Sequence, residues 1–305
     1  MKKYLICAAA AIVALASCSK TQVVYNEAPE EIGFKAATGA ITKAEQSGTL
    51  TGTMGVFAFI NGPADTPYFT NVPFSKPDGS SKWTGGQYWP LQSNLNFVVY
   101  APHGNASYAT KKLTVTGADN SSYTAIANQT DYLYGAEYYD DNDGKGYSKE
   151  EVATTLKHAL AKVTLSFTGS NATVKTVSLV NPTLKGSYTV DYSVVAPATP
   201  TAEWTATAET TNLTLTEFAN KTMSSTAQPV SIMVVPADDS DIMITYTIAG
   251  TDDILTATHK LTGTWATGTH YIYNIKIDPA AIEFSAPTVA GWTAANPAPD
   301  DITLK

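Results

Sequence analysis

The stretch Tyr271-Ile272-Tyr273-Asn274-Ile275-Lys276-Ile277 decides the fold class of this chain, because a large apolar residue stands at every second position. That period is typical of a β-strand with one face against a core. The same alternation recurs over residues 163–167, 188–194 and 242–248, and turn-forming clusters such as Asn61-Gly62-Pro63 separate the apolar runs. Short strands with frequent turns predict an all-β protein built of antiparallel sandwiches.

Length and one acidic segment indicate two domains. The chain has 305 residues, and a domain usually takes roughly 100–200. Residues 138–146 are acidic and contain glycine, as an exposed connection would, so we predict an N-terminal sandwich over 44–150 and a C-terminal one over 151–305. Apolar residues between 149 and 163 fall at helical spacing and then alternate, which predicts a short helix or loop followed by a strand.

Composition and motifs argue against an enzyme, a metalloprotein or a nucleic-acid-binding protein. The chain has 19 lysines, no arginine and 27 acidic residues, whereas phosphate binding needs a clustered basic face. Its four histidines are widely spaced, and the acidic run from Asp140 to Gly146 fails the calcium-loop pattern because Lys145 takes a ligand position. Adjacent carboxylates such as Glu150 and Glu151 would point to opposite faces of a strand. We therefore expect no catalytic residue, no metal site and no cofactor.

The N-terminus has the pattern of an export signal. Residues 1–17 join a basic start to an apolar run that is too short to span a bilayer of about 30 Å. The following Leu15-Ala16-Ser17-Cys18 resembles a bacterial lipobox, in which Cys18 is acylated, with palmitate among the chains, and becomes the new N-terminus. This predicts a lipoprotein held in a Gram-negative outer membrane by several acyl chains. An ordinary signal peptide with an incidental cysteine is the alternative.

Four groups of motifs follow one another along the chain. They are Ile32-Gly33-Phe34 with Thr42-Lys43-Ala44; Trp83 with Tyr88-Trp89-Pro90 and Phe97-Val98-Val99-Tyr100-Ala101-Pro102; Asp131-Tyr132-Leu133-Tyr134-Gly135-Ala136 with Leu156-Lys157-His158-Ala159-Leu160-Ala161-Lys162-Val163-Thr164-Leu165; and Trp265-Ala266-Thr267-Gly268-Thr269-His270-Tyr271-Ile272-Tyr273-Asn274-Ile275 with Trp292. Their order and spacing resemble the fimbrillin family, the type V pilus lipoproteins of Bacteroides and Porphyromonas relatives. The resemblance implies two tandem transthyretin-like Greek-key β-sandwich domains.

The resemblance also implies a route of assembly. A lipidated precursor reaches the outer surface, a trypsin-like protease removes a leader over residues 18–43, and the subunits polymerise by β-strand exchange. The cleaved residue in the family is usually an arginine; here Lys43 stands at that position, and Lys35 is a second possible site. The leader contains a first strand, in which Ile32 and Phe34 alternate with smaller or polar residues.

A donor strand is expected between residue 282 and the C-terminus. Its apolar side chains are Ile282, Phe284, Val289, Trp292, Ile302 and Leu304. Such a segment fills an open groove through main-chain hydrogen bonds, while its alternating side chains set the register. The run Asn296-Pro297-Ala298-Pro299 would interrupt a continuous strand, because proline cannot donate to a ladder. The alternative is that leader and donor are ordinary edge strands of one finished domain.

These observations predict a structural subunit or tip adhesin of a surface pilus that mediates adhesion. The implied partners are other pilin subunits, a trypsin-like processing protease, and an unidentified ligand on a host or bacterial surface. The predicted location is the outer membrane or cell surface, as part of a fimbria. A monomeric surface glycan-binding lipoprotein is the alternative, since exposed Trp and Tyr side chains stack well on sugar rings.

Overall fold

The structure, a computed structural model, describes residues 30–36, 52–60, 66–78, 80, 82–90, 95–122, 126–137, 151–193, 200–207, 211–237, 240–278 and 281–292. Within these ranges the regular elements are β-strands, apart from the short 3-10 helices Ile126–Asn128 and Thr216–Phe218. The prediction of an all-β protein is confirmed. None of the helices in the described ranges is long and apolar enough to cross a membrane.

The strands belong to four sheets. The first eleven are β1 (Glu31–Ala36), β2 (Thr53–Ile60), β3 (Pro67–Ser75), β4 (Trp83–Tyr88), β5 (Leu95–Ala101), β6 (Ala106–Ala109), β7 (Lys112–Asp119), β8 (Leu133–Glu137), β9 (Val152–Thr154), β10 (Lys157–His158) and β11 (Ala161–Gly169). The others are β12 (Ala172–Val180), β13 (Lys185–Asp191), β14 (Ala202–Thr207), β15 (Leu213–Thr214), β16 (Lys221–Thr222), β17 (Gln228–Val234), β18 (Asp241–Ile248), β19 (Leu255–Lys260), β20 (Thr269–Asp278), β21 (Ala281–Phe284) and β22 (Thr288–Gly291).

The first sheet has eight strands in the order β10-β8-β5-β2-β3-β4-β1-β9. Strands β2 and β5 are buried on both faces, which explains why their apolar runs are continuous rather than alternating. One face of β2 and β5 borders the inner core, and the other face packs on the second sheet, of order β14-β13-β7-β6, through the outer core. The inner core is Ile32, Phe34, Met54, Val56, Ala58, Phe69, Phe74, Trp83, Leu95, Phe97, Val99, Ala101, Leu133, Val152 and Leu156. The outer core is Phe57, Phe59, Val98, Tyr100, Leu113, Val115, Tyr134, Ala159, Tyr188, Val190 and Ala202.

The third and fourth sheets share a separate apolar cluster, which we call the C-terminal core. Its buried residues are Ile126, Leu160, Ala161, Val163, Leu165, Phe167, Ala172, Val174, Val177, Leu179, Leu184, Leu213, Leu215, Phe218, Met223, Val230, Ile232, Met233, Val234, Val235, Ile242, Ile244, Tyr246, Leu261, Trp265, Tyr271, Tyr273, Ile275, Ile277 and Trp292. The third sheet has the order β17-β11-β20-β21, with β22 also paired to β20, and the fourth has the order β15-β12-β18-β19, with β16 also paired to β12. The apolar alternation over residues 271–277 lies in β20, where Tyr271, Tyr273, Ile275 and Ile277 are buried in the C-terminal core. The pairing of β20 with β11 is parallel, so the fold is not purely antiparallel.

A helix was one of the two forms predicted between residues 149 and 163, and it is wrong. From residue 151 the chain forms β9, β10 and the start of β11, and β11 is the strand predicted to follow. Val152 and Leu156 belong to the inner core, whereas Leu160 and Val163 belong to the C-terminal core. The helical spacing therefore arises because the chain passes from one core to another, and strand pairing overrides helix propensity.

Strand pairing crosses the boundary predicted at residues 150–151. Strands β9 and β10 follow that boundary but join the first sheet, and β13 pairs with β7 in the second sheet. The two-domain division and the transthyretin-like Greek-key topology remain predictions. The strand pairing adds that segments on either side of residue 150 contribute to the same sheets.

Candidate functional site

The predicted leader strand is β1, and it is hydrogen-bonded on both sides. It pairs antiparallel with β4, where Phe34 lies opposite Trp83, and parallel with β9, where Phe34 lies opposite Val152. Beyond the ladder, the Trp89 amide donates to the Glu30 carbonyl at 2.9 Å. Strand β1 is therefore the second strand from the edge of the first sheet, and the short β9 is the edge strand.

The side chains of β1 form part of the inner core. Ile32 and Phe34 are completely buried. The Phe34 ring meets the Phe74 ring edge-on, with centroids 5.3 Å apart, and it meets the Phe97 ring in the same way at 5.1 Å. Edge-to-face pairs of this kind contribute about 0.5–1.5 kcal/mol each beyond the area that they bury. The strand that the sequence marks as removable is thus a well-packed part of the first sheet.

The predicted donor segment begins with two short strands that lie end to end along β20. In β21, Ile282 is opposite Ile277, and in β22, Val289 is opposite Tyr271. Both pairings are antiparallel, and β21 is the last strand in the order of the third sheet. Between the two strands, the Ser285 amide and hydroxyl both donate to the Asn274 carbonyl, at 3.1 and 3.0 Å. We call β21 and β22 together the C-terminal strand pair.

The apolar side chains of this pair are buried to very different degrees. Ile282 and Phe284 are half-buried against the C-terminal core. Val289 is 58% exposed, whereas Trp292, directly after β22, is only 4% exposed. The Trp292 amide donates to the Gly268 carbonyl at 2.9 Å. The pair is therefore a sheet edge with one deeply anchored end.

Two histidines stack on the two aromatic residues of this segment. The sequence did not predict these stacks. The His259 and Phe284 rings lie 3.8 Å apart between centroids and 10° from parallel, and the His158 and Trp292 rings lie 3.8 Å apart and 3° from parallel. His158 Nδ1 also lies 2.8 Å from Asp131 Oδ2, and both side chains are almost completely buried. Sequence spacing carries no signal for these contacts, because the partners are far apart along the chain.

The remaining predicted site residues are not described. Cys18, Lys43, Ile302 and Leu304 all lie outside the described residues. Of the residues that are described, Ile282, Phe284, Val289 and Trp292 come together beside β20, while Ile32 and Phe34 lie in a different sheet.

A cavity of about 230 Å³ lies beside β8 and β10. Tyr134, Glu137, Lys157, Tyr192 and Pro200 are among its lining residues. The Lys157 ammonium is 3.5 Å from the Pro200 carbonyl, and burial lowers the pKa of Lys157. Among the residues that the structure describes, no three His, Cys, Asp or Glu side chains come together as a metal site.

Comparison with known proteins identifies the class to which this all-β chain belongs. The model of the fimbrillin-like family matches residues 38–292, so the chain belongs to that family. The match begins just after β1 and ends at Trp292. Membership supports a role in fimbriae or adhesion at the cell surface. No curated protein matches the chain.

Solved structures with low sequence identity resemble this chain, and the two Bacteroides proteins described first share its fold. A candidate cell adhesion protein from Bacteroides uniformis is 19% identical, with a TM-score of 0.57 over 88% of this chain and 99% of its own. Another from Bacteroides ovatus is 14% identical, with a TM-score of 0.58 over 88% of this chain and 100% of its own. The tip fimbrial protein Mfa3 from Porphyromonas gingivalis is 12% identical, with a TM-score of 0.45 over 86% of this chain and 98% of its own.

Proposed function

We propose that the chain is a structural subunit or tip adhesin of a surface pilus. In this proposal it is exported as a lipoprotein precursor, anchored in the outer membrane through Cys18, trimmed after Lys43 and joined to other pilin subunits by β-strand exchange. One observation carries the proposal: β1, the strand upstream of the expected cleavage site, lies between β4 and β9 and fills the inner core. Its loss would open a slot within the sheet.

The slot would have the properties that favour strand exchange. Removing β1 would leave the facing backbone groups of β4 and β9 without partners and would expose the space that Ile32 and Phe34 fill. Unpaired edges and exposed apolar surface are costly in water, and an extended segment from another chain satisfies both by β-augmentation. The C-terminal strand pair supports the second half of the proposal, because it is an edge that pairs only with β20 among the described strands.

Cleavage and release of the leader would be separate events. A cut after Lys43 breaks the chain but leaves β1 held by two ladders and by the contacts of Phe34 with Phe74 and Phe97. The leader strand would therefore stay in place until an incoming strand displaced it. Such a subunit is protected from premature aggregation, since its slot is never empty.

Limited trypsin digestion tests this function. The full chain from residue 18, made with Cys18→Ser to prevent lipidation, is treated with limiting trypsin and followed by intact mass and native size. We expect a cut after Lys43 and then a ladder of oligomers, whereas the matched Lys43→Gln variant should lack that cut. Excess synthetic peptide of residues 30–37 should suppress the oligomers, and a peptide with Ser in place of Ile32 and Phe34 should not. A clean cut after Lys43 that leaves only monomers contradicts the proposal.

The cavity beside β10 supports a second candidate function, a monomeric surface glycan-binding lipoprotein. Its volume suits a single sugar ring, and Tyr134, Tyr192 and Lys157 offer aromatic and hydrogen-bonding groups. Calorimetric titration with neutral and acidic oligosaccharides should then give binding that Lys157→Met weakens. The matched control is Lys185→Met, which removes a lysine that does not line the cavity. Flat titrations across host and plant polysaccharides contradict this second function.

A further inference from the structure

The C-terminal strand pair is tied to the molecule by more than its two ladders with β20. Phe284 in β21 and Trp292, directly after β22, each lie parallel to a histidine ring from another sheet. His259 is in β19 of the fourth sheet, whereas Phe284 is in β21 of the third. The strand pair is therefore held at two points across sheets, one near each end.

The contact at Trp292 is the more deeply buried of the two. His158 belongs to β10 at the edge of the first sheet, and its Nδ1 atom meets Asp131 Oδ2 at 2.8 Å. That contact sets the orientation of the imidazole, and the Trp292 ring covers it at 3.8 Å. The Trp292 amide also donates a hydrogen bond to the Gly268 carbonyl, directly before β20. The end of the segment therefore contacts both the first sheet, through His158, and the start of β20.

The contact at Phe284 is more open. The side chain of His259 is exposed on the outer edge strand of the fourth sheet, and Phe284 is only half-buried. The stack shields one face of the Phe284 ring and joins two sheet edges that share no ladder. Loss of this single contact would loosen β21 without opening a buried polar pair, while the ladder with β20 would remain.

We infer that His158 and His259 are positioning residues that hold the C-terminal strand pair in place and set how readily it leaves its own subunit. We call the His158–Trp292 and His259–Phe284 stacks together the histidine clasp. The inference rests on the proposed function for its purpose, since a segment that is exchanged between subunits must first be released. The partner that receives the segment is another pilin subunit with an open slot. The clasp itself is a property of the monomer, so it is testable without any assembly.

Hydrogen exchange with mass spectrometry on the unlipidated full-length monomer measures the clasp directly. His259→Ala should accelerate exchange in residues 281–284 by about 5-fold, as expected for the loss of one aromatic contact. Residues 288–291 should keep the wild-type rate in this variant. The matched control is His103→Ala, whose ring contacts the Asn71 carbonyl and Tyr100 rather than the C-terminal segment.

The contact at Trp292 needs a His158 variant that keeps the hydrogen bond to Asp131. His158→Asn retains a donor near the position of Nδ1 but removes the ring, and it should accelerate exchange in residues 288–292 by about 5-fold. Unchanged exchange in both histidine variants overturns the inference. Faster exchange spread evenly over the third sheet also overturns it, because that result describes general destabilisation.

The two proposals fail in different ways. Local acceleration in the monomer, together with no oligomers after trypsin, supports the clasp and contradicts the pilus function. If oligomers do form, trypsin-treated His259→Ala should assemble faster than wild type, and His103→Ala should match wild type. Assembly of His259→Ala at the wild-type rate overturns the role of the clasp in release.

Discussion

The leader strand β1 and the C-terminal strand pair are the two segments proposed for exchange, and their surroundings differ sharply. Strand β1 has a neighbour on each side and two side chains that are completely buried. The C-terminal strand pair has one neighbour, β20, and its side chains range from half-buried to mostly exposed until Trp292. One segment is part of a core, and the other is an edge with an anchor.

This difference indicates which step would limit assembly. Release of β1 exposes apolar surface and breaks two ladders, so it needs cleavage and a competing strand. Release of the C-terminal strand pair breaks its two short ladders with β20 and two ring stacks. It exposes less apolar surface than release of β1, because Val289 is already mostly exposed and Ile282 and Phe284 are only half-buried. A subunit built in this way would release its donor more easily than it opens its acceptor. Because displacement of β1 needs a competing strand, the rate of assembly would still rise with the fraction of subunits whose donor is free.

Truncation of the leader aromatic should have the largest effect. Phe34→Ala removes a fully buried ring and its edge-on contacts with Phe74 and Phe97, and it should lower the free energy of unfolding by about 3–5 kcal/mol. Urea denaturation of the unlipidated precursor measures the change. Lys35→Ala, at the exposed neighbouring position, is the control and should stay within about 0.5 kcal/mol of wild type. A loss below about 1 kcal/mol for Phe34→Ala would contradict the packed position of β1.

A matched isoleucine pair compares the two segments directly. Ile32→Ala should lower the free energy of unfolding by about 3 kcal/mol, because the side chain is completely buried. Ile282→Ala should lower it by only about 1 kcal/mol, because the side chain is half-buried at a sheet edge. The same denaturation experiment measures both. Equal losses would mean that the two segments are packed alike.

A glycine substitution probes the wall of the leader slot. A Cβ atom at Gly85 in β4 would come within 2.6 Å of the Phe74 ring, which packs on Phe34. Gly85→Ala should therefore cost about 2 kcal/mol, as overpacking of a core does. Gly104→Ala is the control, since a Cβ atom there meets nothing within 4 Å. Thermal unfolding measures the midpoint temperature of both variants. Equal midpoint temperatures would show that the Phe74 ring moves aside without cost.

The smallest effect concerns an exposed charge pair in β20, beside the start of the C-terminal strand pair. A hydrogen bond from Lys276, at 2.6 Å, holds the pKa of Asp278 below its usual value, although slight burial acts in the other direction. The folded pKa is depressed, so the pair stabilises the fold above the unfolded pKa and loses this effect as the pH falls through the folded pKa.

Carboxyl titration by NMR measures this effect. Lys276→Met should raise the pKa of Asp278 towards its usual value while leaving Asp191 unchanged. Lys112→Met is the converse control, because Lys112 pairs with Asp191, whose pKa is lowered to about 2, chiefly by hydrogen bonds from Ser193. An Asp278 pKa that does not respond to Lys276→Met would rule out this ion pair in solution.

Local patterns in the sequence were sufficient for some of the strands. Alternation predicted β20, and Ile32 and Phe34 both lie in β1, whose role as a leader remains a prediction. The same approach failed between residues 149 and 163. The apolar residues there have helical spacing in the sequence, but they belong to two different cores in the structure. The histidine stacks could not be predicted from the sequence, because His259 and Phe284 meet only through the packing of two sheets.

The all-β class and strands such as β20 were predictable from the chain alone, because side-chain alternation and turn residues act over a few neighbouring positions. The family resemblance rested on the order of four groups of motifs along the sequence. The position of β1 between β4 and β9, the parallel pairing of β11 with β20, and the covering of His158 by Trp292 needed the tertiary structure. These features join residues that are remote in sequence. Their geometry depends on how whole sheets pack, which no local pattern encodes.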